Sequence, residues 1–250
     1  MKRDELIHWL DHILETSAYA DASINGLQIE GDDDVQKIAV ATDACQATID
    51  AAVTAGAQLL IVHHGLFWGR CEVIKGSHGR RIRSAVLGGL NVYCSHLPLD
   101  AHPTMGNNAR LAALLELRDP QPWGGDPARP IGMAGELSEP CSPTALARRI
   151  EALLGAPVQV LPFGPDPIRR VGIISGAAGS MVDQGMHDGF DAVITGEGRY
   201  GQFFLAEEGG ISLFFAGHYA TETLGVRALA QHIQDEHGLP WVFLDHPTGM

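Results

Sequence analysis

Two stretches of the chain, Ile38 to Gly65 and Val171 to Gly198, align without a gap at a spacing of 133 residues. Ala44, Asp50, Gly56, Ile61 and Gly65 meet identical residues at Ala177, Asp183, Gly189, Ile194 and Gly198. Apolar positions coincide as well: Val40 with Ile173, Ile49 with Val182, and Leu60 with Val193. In the first copy, Ile38–Ala41 and Leu59–Val62 are apolar runs of strand length, separated by an Ala-rich helical segment, Cys45 to Ala55, that closes at Gly56. Strands apolar at every position are buried on both faces, as in parallel sheets covered by helices. The repeat therefore predicts an α/β fold of two similar α/β lobes, an internal duplication, with largely parallel or mixed sheets flanked by helices. The plainer alternative is that strand–helix–strand units look alike for physical reasons alone.

The rest of the chain fits that alternation. Leu6, Leu10 and Leu14, with Ile7 and Ile13 beside them, predict an opening amphipathic helix, and Asn25-Gly26 marks a turn. A helix is expected around Arg80 to Leu87, a strand over Asn91–Cys94 and a helix from about Asn107 to Leu117. Two prolines between Ser95 and Pro103 predict an extended loop there. The Pro/Gly-rich stretch from Asp119 to Pro130 is the expected boundary, giving a first lobe over 1–125 and a second over 126–250. Beyond it come a strand-like run at Gly132–Leu137 and a helix near Ser142 to Leu154, capped by Ser142 or Thr144. A strand at Ile211–Phe215 precedes a last helix reaching about His237.

The polar residues that follow these strands carry the chemistry. His63-His64-Gly65 ends a buried strand, and the carboxyl ends of strands are where open α/β sheets present ligands. In His218-Tyr219-Ala220-Thr221-Glu222, a helix starting near residue 218 puts His218 and Glu222 on one face at i and i+4. Asp100 lies just past another strand. Each has an ordinary alternative: one histidine satisfied in the core, Thr221 as a cap with Glu222 as a first-turn charge, Asp100 as a turn residue. Taken together, His63, His64, Asp100, His218 and Glu222 mix imidazole and carboxylate without thiolate, which suits Zn, Mn, Fe, Co or Ni. Five such ligands exceed one tetrahedral ion. Two divalent metal ions sharing a bridging carboxylate and an acidified water are the expectation.

His96 and Glu197 are the next candidates. His96-x-x-x-Asp100 and His218-x-x-x-Glu222 each trail a strand, and Glu197 falls where His64 falls in the first copy. Either would serve as a sixth ligand, an orienting residue or a catalytic acid/base. Arg80 and Arg81 belong to a basic cluster with Arg70, Lys75 and Arg83 that would steer a phosphorylated substrate, or simply form a solvated helix face or subunit contact. Phe67 and Trp68 are placed to line a pocket wall.

Composition narrows the classes of function. Lys plus Arg number 17 against 30 Asp plus Glu, a formal charge of −13 that disfavours broad nucleic-acid binding. Cys45, Cys71, Cys94 and Cys141 form no Cys-x-x-Cys, so neither a disulfide framework nor a cysteine zinc site is expected. With no apolar run of membrane-spanning length and no signal-peptide core, the expected location is cytoplasmic, without a membrane partner.

Five segments acting together carry a family likeness. Asn25-Gly26-Leu27-Gln28, His63-His64-Gly65, Ser95-His96-Leu97-Pro98-Leu99-Asp100, Ile194-Thr195-Gly196-Glu197 and Gly217-His218-Tyr219-Ala220-Thr221-Glu222 resemble the YbgI, or Nif-three-like, family. Its members are usually labelled type 2 GTP cyclohydrolase I homologues. The resemblance spans nearly the whole chain, in the short form that lacks a central inserted domain. It implies a homo-oligomer, a ring-shaped hexamer, with a dinuclear metal centre whose ligands fall on His63, His64, Asp100, His218 and Glu222. The implied activity is metal-dependent hydrolysis of a small nucleotide-like substrate. For GTP, hydroxide would attack C8 while His96 or Glu197 moves protons. Two other functions compete: a non-enzymatic metal-containing ring that serves as a protein-binding platform, and a DNA-repair-associated accessory protein.

Overall fold

The computed structural model describes residues 1–70 and 72–250, so Cys71 lies outside the described residues. In chain order the first elements are α1 (Arg3–Ile13), β1 (Gly26–Ile29), β2 (Ile38–Asp43), α2 (Gln46–Thr54), β3 (Leu59–His64), α3 (Gly76–Leu87) and β4 (Asn91–Cys94). There follow α4 (Leu97–Asp100), α5 (Asn107–Leu114), β5 (Arg118–Asp126), β6 (Arg129–Cys141), α6 (Pro143–Leu154), β7 (Gln159–Pro162) and β8 (Ile168–Ile174). The chain ends with α7 (Val182–His187), β9 (Ala192–Thr195), α8 (Gln202–Gly209), β10 (Ser212–Phe215), α9 (His218–His237) and β11 (Trp241–Phe243).

The chain divides into two compact units, Met1–Leu99 with Gly225–His246, and Asp100–Leu224 with Pro247–Met250. The division expected near residue 125 falls elsewhere because the Pro/Gly-rich stretch is not a linker. It builds the β5–β6 hairpin, whose ladder runs from Arg118↔Glu136 to Asp126↔Arg129. Pro120 and Pro122 are tolerated because β5 is an edge strand, and Gly124 and Gly125 take the positive φ that bends it.

The first unit holds a five-stranded sheet in the order β1-β4-β3-β2-β11. Its β2, β3, β4 and β11 run parallel, and only β1 is antiparallel. Ala39, Ala41, Leu60, Val62 and Val92 pack with Ile49 of α2 and Ala85 of α3 into one core. Burying each large aliphatic side chain contributes about 1.5–3 kcal/mol. The second unit holds a six-stranded sheet, β5-β6-β8-β9-β10-β7, in which β8, β9 and β10 are parallel and the outer pairings antiparallel. Leu146 and Ile150 of α6 cover one face against Val171, Ile173 and Phe214. Val182 and Ala206 cover the other against Ile174, Val193 and Leu213. Ser142 caps α6 as expected, accepting from Ala145 N.

The repeat survives at the level of register. Ile38↔Leu59, Val40↔Ile61 and Ala41↔Val62 in the first unit correspond to Val171↔Ala192, Ile173↔Ile194 and Ile174↔Thr195 in the second. Each pair is displaced by the same 133 residues as the sequence repeat. The third strands do not keep that spacing: Leu59 faces Asn91, whereas Ala192 faces Ser212. By ladder position Cys94 therefore matches Phe215, and His96 comes two residues after its strand where His218 comes three. The two His-x-x-x-acid segments are echoes displaced by one residue, not equivalent positions.

Among the described residues no helix is long and apolar enough to cross a membrane. Cys45, Cys94 and Cys141 are unbridged.

Candidate metal centre

In the first unit the parallel strands deliver polar residues to one sheet edge. His63 and His64 are the last two residues of β3, inside the strand itself. Asp43 sits opposite His64 in the β2–β3 ladder, and this register lets His64 Nδ1 donate to Asp43 Oδ1 at 2.9 Å. His63 is fully buried, and its Nδ1 donates to the carbonyl of Ser95 at 3.0 Å, just past the end of β4. His96 Nδ1 donates to both oxygens of Asp21, at 2.9 and 3.1 Å. The ring centroids of the three histidines lie 4.8, 5.0 and 5.6 Å apart. One ring nitrogen from each comes within 4.8 Å of the others.

Asp21 and Asn25 organise this edge, and neither acid at positions 21 and 43 stood out in the sequence. Asp21 also accepts from Ser23 N, Asn25 Nδ2 and Leu97 N, at 2.9, 2.9 and 3.1 Å. Burial opposes its ionisation, yet the hydrogen bonds from His96 and Asn25, the His96 charge and the Ser23 amide outweigh that cost. They hold its carboxyl well below the usual carboxylate range. Asn25 Oδ1 accepts from His96 N at 2.7 Å, and Gln28 Oε1 accepts from Leu66 N at 2.6 Å. The Asn25–Gln28 segment thus clamps the backbone on either side of the histidines. Gly65 is required because a Cβ there would overlap the Gln28 amide. Trp68 lies 5.8 Å from the His64 ring and 5.2 Å from the His96 ring. Burial pushes the Cys94 thiol up to about 12, and its Sγ donates to the His63 carbonyl at 3.3 Å.

The second unit arranges oxygen ligands around one imidazole. α9 begins at His218, so His218 and Glu222 share a face, and His218 Nε2 lies 3.1 Å from Glu222 Oε2. His218 Nδ1 donates to Glu197 Oε1 at 3.0 Å. Hydrogen bonding to Glu222, opposed by burial and reinforced by the charges of Glu222 and Glu197, raises the His218 pKa to about 9. Without a metal, an imidazolium between two carboxylates supplies the positive charge that this pocket of acids demands. Gly176, at φ +67°, makes room for the buried Glu222, since a Cβ there would overlap Glu222 Oε1. Thr221 does not cap the helix as its plainer reading held. Its hydroxyl donates to Gly217 O at 2.9 Å and accepts from Gly176 N at 3.1 Å.

Asp100 is buried at the end of α4, where the expected extended loop is instead a single helical turn, Leu97–Asp100. Pro98 is compatible with a first helical turn, whose N–H groups have no intrahelical acceptor in any case. Asn107 Nδ2 and Ser175 Oγ donate to Asp100 Oδ1, at 2.8 and 3.0 Å.

In its neutral form an imidazole whose Nδ1 donates to an oxygen acceptor coordinates through Nε2, the usual arrangement behind metal-bound histidine. Together with buried, anchored carboxylates, this donor chemistry fits divalent metal ions. Glu197 is an orienting residue for His218. Arg81 is tied to the fold, its Nη1 donating to Ala44 O at 3.2 Å, while Arg80 is exposed on α3.

Comparison with known proteins follows the same lines. A model of the family described as Duf34/NIF3 (NGG1p interacting factor 3) matches residues 1–248. A Deinococcus radiodurans protein named "GTP cyclohydrolase 1 type 2 homolog" is 46% identical over 248 residues, 99% of this chain and 94% of that one. The solved structure of protein ybgI, described as of unknown function, superposes with a TM-score of 0.93 at 40% identity, covering 100% of both chains. A solved structure from Thermus thermophilus gives 0.93 at 41% identity, again over 100% of both chains. Matched from one end to the other by the family model, the chain belongs to the Duf34/NIF3 family.

Proposed function

We propose that this chain is a dinuclear metal-dependent hydrolase of the GTP cyclohydrolase type, acting on a small nucleotide-like substrate. The ligands proposed for two divalent ions are His63, His64, Asp100, His218 and Glu222. The observation that carries this reading is the tethering of each imidazole through Nδ1: His63 to Ser95 O, His64 to Asp43 and His218 to Glu197. A histidine that merely fills a core needs only one satisfied nitrogen. Three of them tethered at the same ring atom, together with the anchored carboxylates Asp100 and Glu222, support a ligand set.

Two divalent ions held by these residues would supply Lewis acidity toward a water and toward the substrate atom being displaced. The chain's own residues do the rest. Asp43 and Glu197 fix ring orientation, Ser175 and Asn107 hold Asp100 in place, and Trp68 packs near the His64 and His96 rings. The name borne by the Deinococcus radiodurans relative supports a nucleotide as the substrate class.

Turnover tests the proposal. Protein loaded with Mn, Co or Zn is assayed against nucleoside triphosphates, phosphodiesters and amides. Hydrolysis that falls at least about 100-fold in His64→Ala, at an unchanged melting midpoint, is expected. A fully metallated wild type that turns over none of these substrates contradicts the reading.

A further inference from the structure

We infer that two adjoining cavities of the second unit form one substrate cleft: the larger takes a flat heteroaromatic ring, and the smaller takes a phosphate group held by Arg199. This deepens the function proposed above and rests on its nucleotide-like substrate, not on the metal ions or on hydrolysis.

The larger cavity, about 610 Å³, is walled by Leu161 of β7, Phe215 at the end of β10, Phe203 of α8 and Tyr200. Small-molecule sites span about 300–1,000 Å³ and are lined mostly by apolar and aromatic side chains. Phe203 makes edge-to-face contacts with Phe163 and Phe204, at centroid distances of 5.2 and 5.4 Å, that brace its ring. A braced aromatic ring at a cavity wall is a platform for stacking, and every heteroaromatic base offers the π-face that stacking needs.

The smaller cavity, about 270 Å³, has a more polar lining that includes Ser180, Arg199 and Gln202. Glu197, Gly198 and Arg199 line both cavities, so the two are halves of one cleft. Gly198 lets the backbone pass between them, since a Cβ there would overlap the Phe215 ring and the Gln202 amide.

Arg199 is the one basic side chain lining either cavity among the described residues. In a chain of formal charge −13, a phosphate needs such a local cation. The Arg199 backbone N–H donates to Oε1 of the buried Gln202, which fixes where the side chain starts. Its guanidinium makes no hydrogen bond or ion pair among the described residues, and a planar guanidinium pairs with phosphate through two parallel hydrogen bonds. Glu197 is an acceptor only, so it suits the N–H edge of a ring and not the phosphate. Because Glu197 orients His218 and Gly217 precedes it, a ring in the larger cavity lies beside the second unit's candidate ligands.

The test titrates guanosine monophosphate, guanosine and inorganic phosphate into the full chain by calorimetry, after chelator treatment so that phosphate meets no metal. Wild type should bind the monophosphate at least about 10-fold more tightly than guanosine. Arg199→Ala should erase that difference, and Arg199→Lys should keep part of it. Phe203→Ala should weaken the monophosphate and guanosine alike, by about 10-fold. Both side chains are exposed, so the melting midpoint should not move in any of these variants. A wild type that binds neither the monophosphate nor guanosine, or affinities unchanged in Arg199→Ala or in Phe203→Ala, overturns the inference. So does a fall in molar mass by light scattering in Phe203→Ala at unchanged affinity, which would make the aromatic wall a contact between copies of the chain. A wild type that shows this binding pattern yet hydrolyses nothing when loaded with metal would contradict the proposed activity and leave the cleft standing.

Discussion

The two units share a ladder and differ in what they hang from it. In both, three parallel strands end at one edge with a matched β2–β3 and β8–β9 register. In the first unit those ends carry His63, His64 and His96, each backed by an oxygen acceptor. In the second, Asp100 and Glu222 supply carboxylate oxygen, and His218 is the one imidazole, bracketed by Glu197 and Glu222. A duplicated scaffold sets where ligands sit, while side-chain substitution sets how soft they are. The nitrogen-rich donor set of the first unit suits a transition metal. The oxygen-rich set of the second favours positive charge, and a proton on His218 supplies it in the metal-free protein.

That contrast is breakable. The largest effect is expected from Gly176→Ala. Its methyl would occupy the space of Glu222 Oε1 at a backbone φ of +67°, so something must move. Loss of about one ion per chain by elemental analysis, with about 2 kcal/mol or more of destabilisation in urea, is expected. If the variant keeps its full metal complement, Glu222 is not a ligand.

A smaller and more even effect should follow removal of the orienting acids. Asp43→Asn and Glu197→Gln keep shape and lose charge behind His64 and His218. Calorimetric titration should show each weakening one binding event about 10-fold, the first unit's in one case and the second's in the other. A Glu197→Gln protein that binds as tightly as wild type would mean that the second unit's imidazole is positioned by its helix alone.

The smallest effect concerns pH and metal-free protein. His218 has a folded pKa of about 9 against an ordinary value of 6.5, so the folded state holds its proton more tightly. The resulting stabilisation is complete below about pH 6.5 and is lost as pH rises through about 9. In chelator-treated protein the melting midpoint should fall by a few degrees between pH 7 and 9.5, and His218→Ala should flatten that slope. A slope that persists unchanged in His218→Ala would place the titrating group elsewhere.

Much of this was legible in the residues. The 133-residue repeat foretold the α/β elements, and the structure adds that their pairing repeats too, since strands buried on both faces keep apolar side chains at every ladder position. His63, His64, His218 and Glu222 were visible because a strand end or a helical i, i+4 spacing is local. Asp21 was not, since 75 residues separate it from His96 and a lone Asp in a loop has no signature. Asp43 was findable in principle: the parallel register of the repeat puts it opposite His64. The Pro/Gly stretch after residue 118 misled because the same residues that mark linkers also build hairpins on edge strands. Pro98 misled in the other direction, since proline stops a helix interior but suits its first turn.

Metal content per chain tests the central claim most directly. Purified protein, loaded with Zn or Co and freed of excess ion, is analysed by elemental mass spectrometry beside His63→Ala and Glu222→Ala. About two ions in the wild type and about one or fewer in each variant, with all three proteins folded, is the predicted result. Two variants that retain the wild-type complement, or a wild type that holds none, would contradict it.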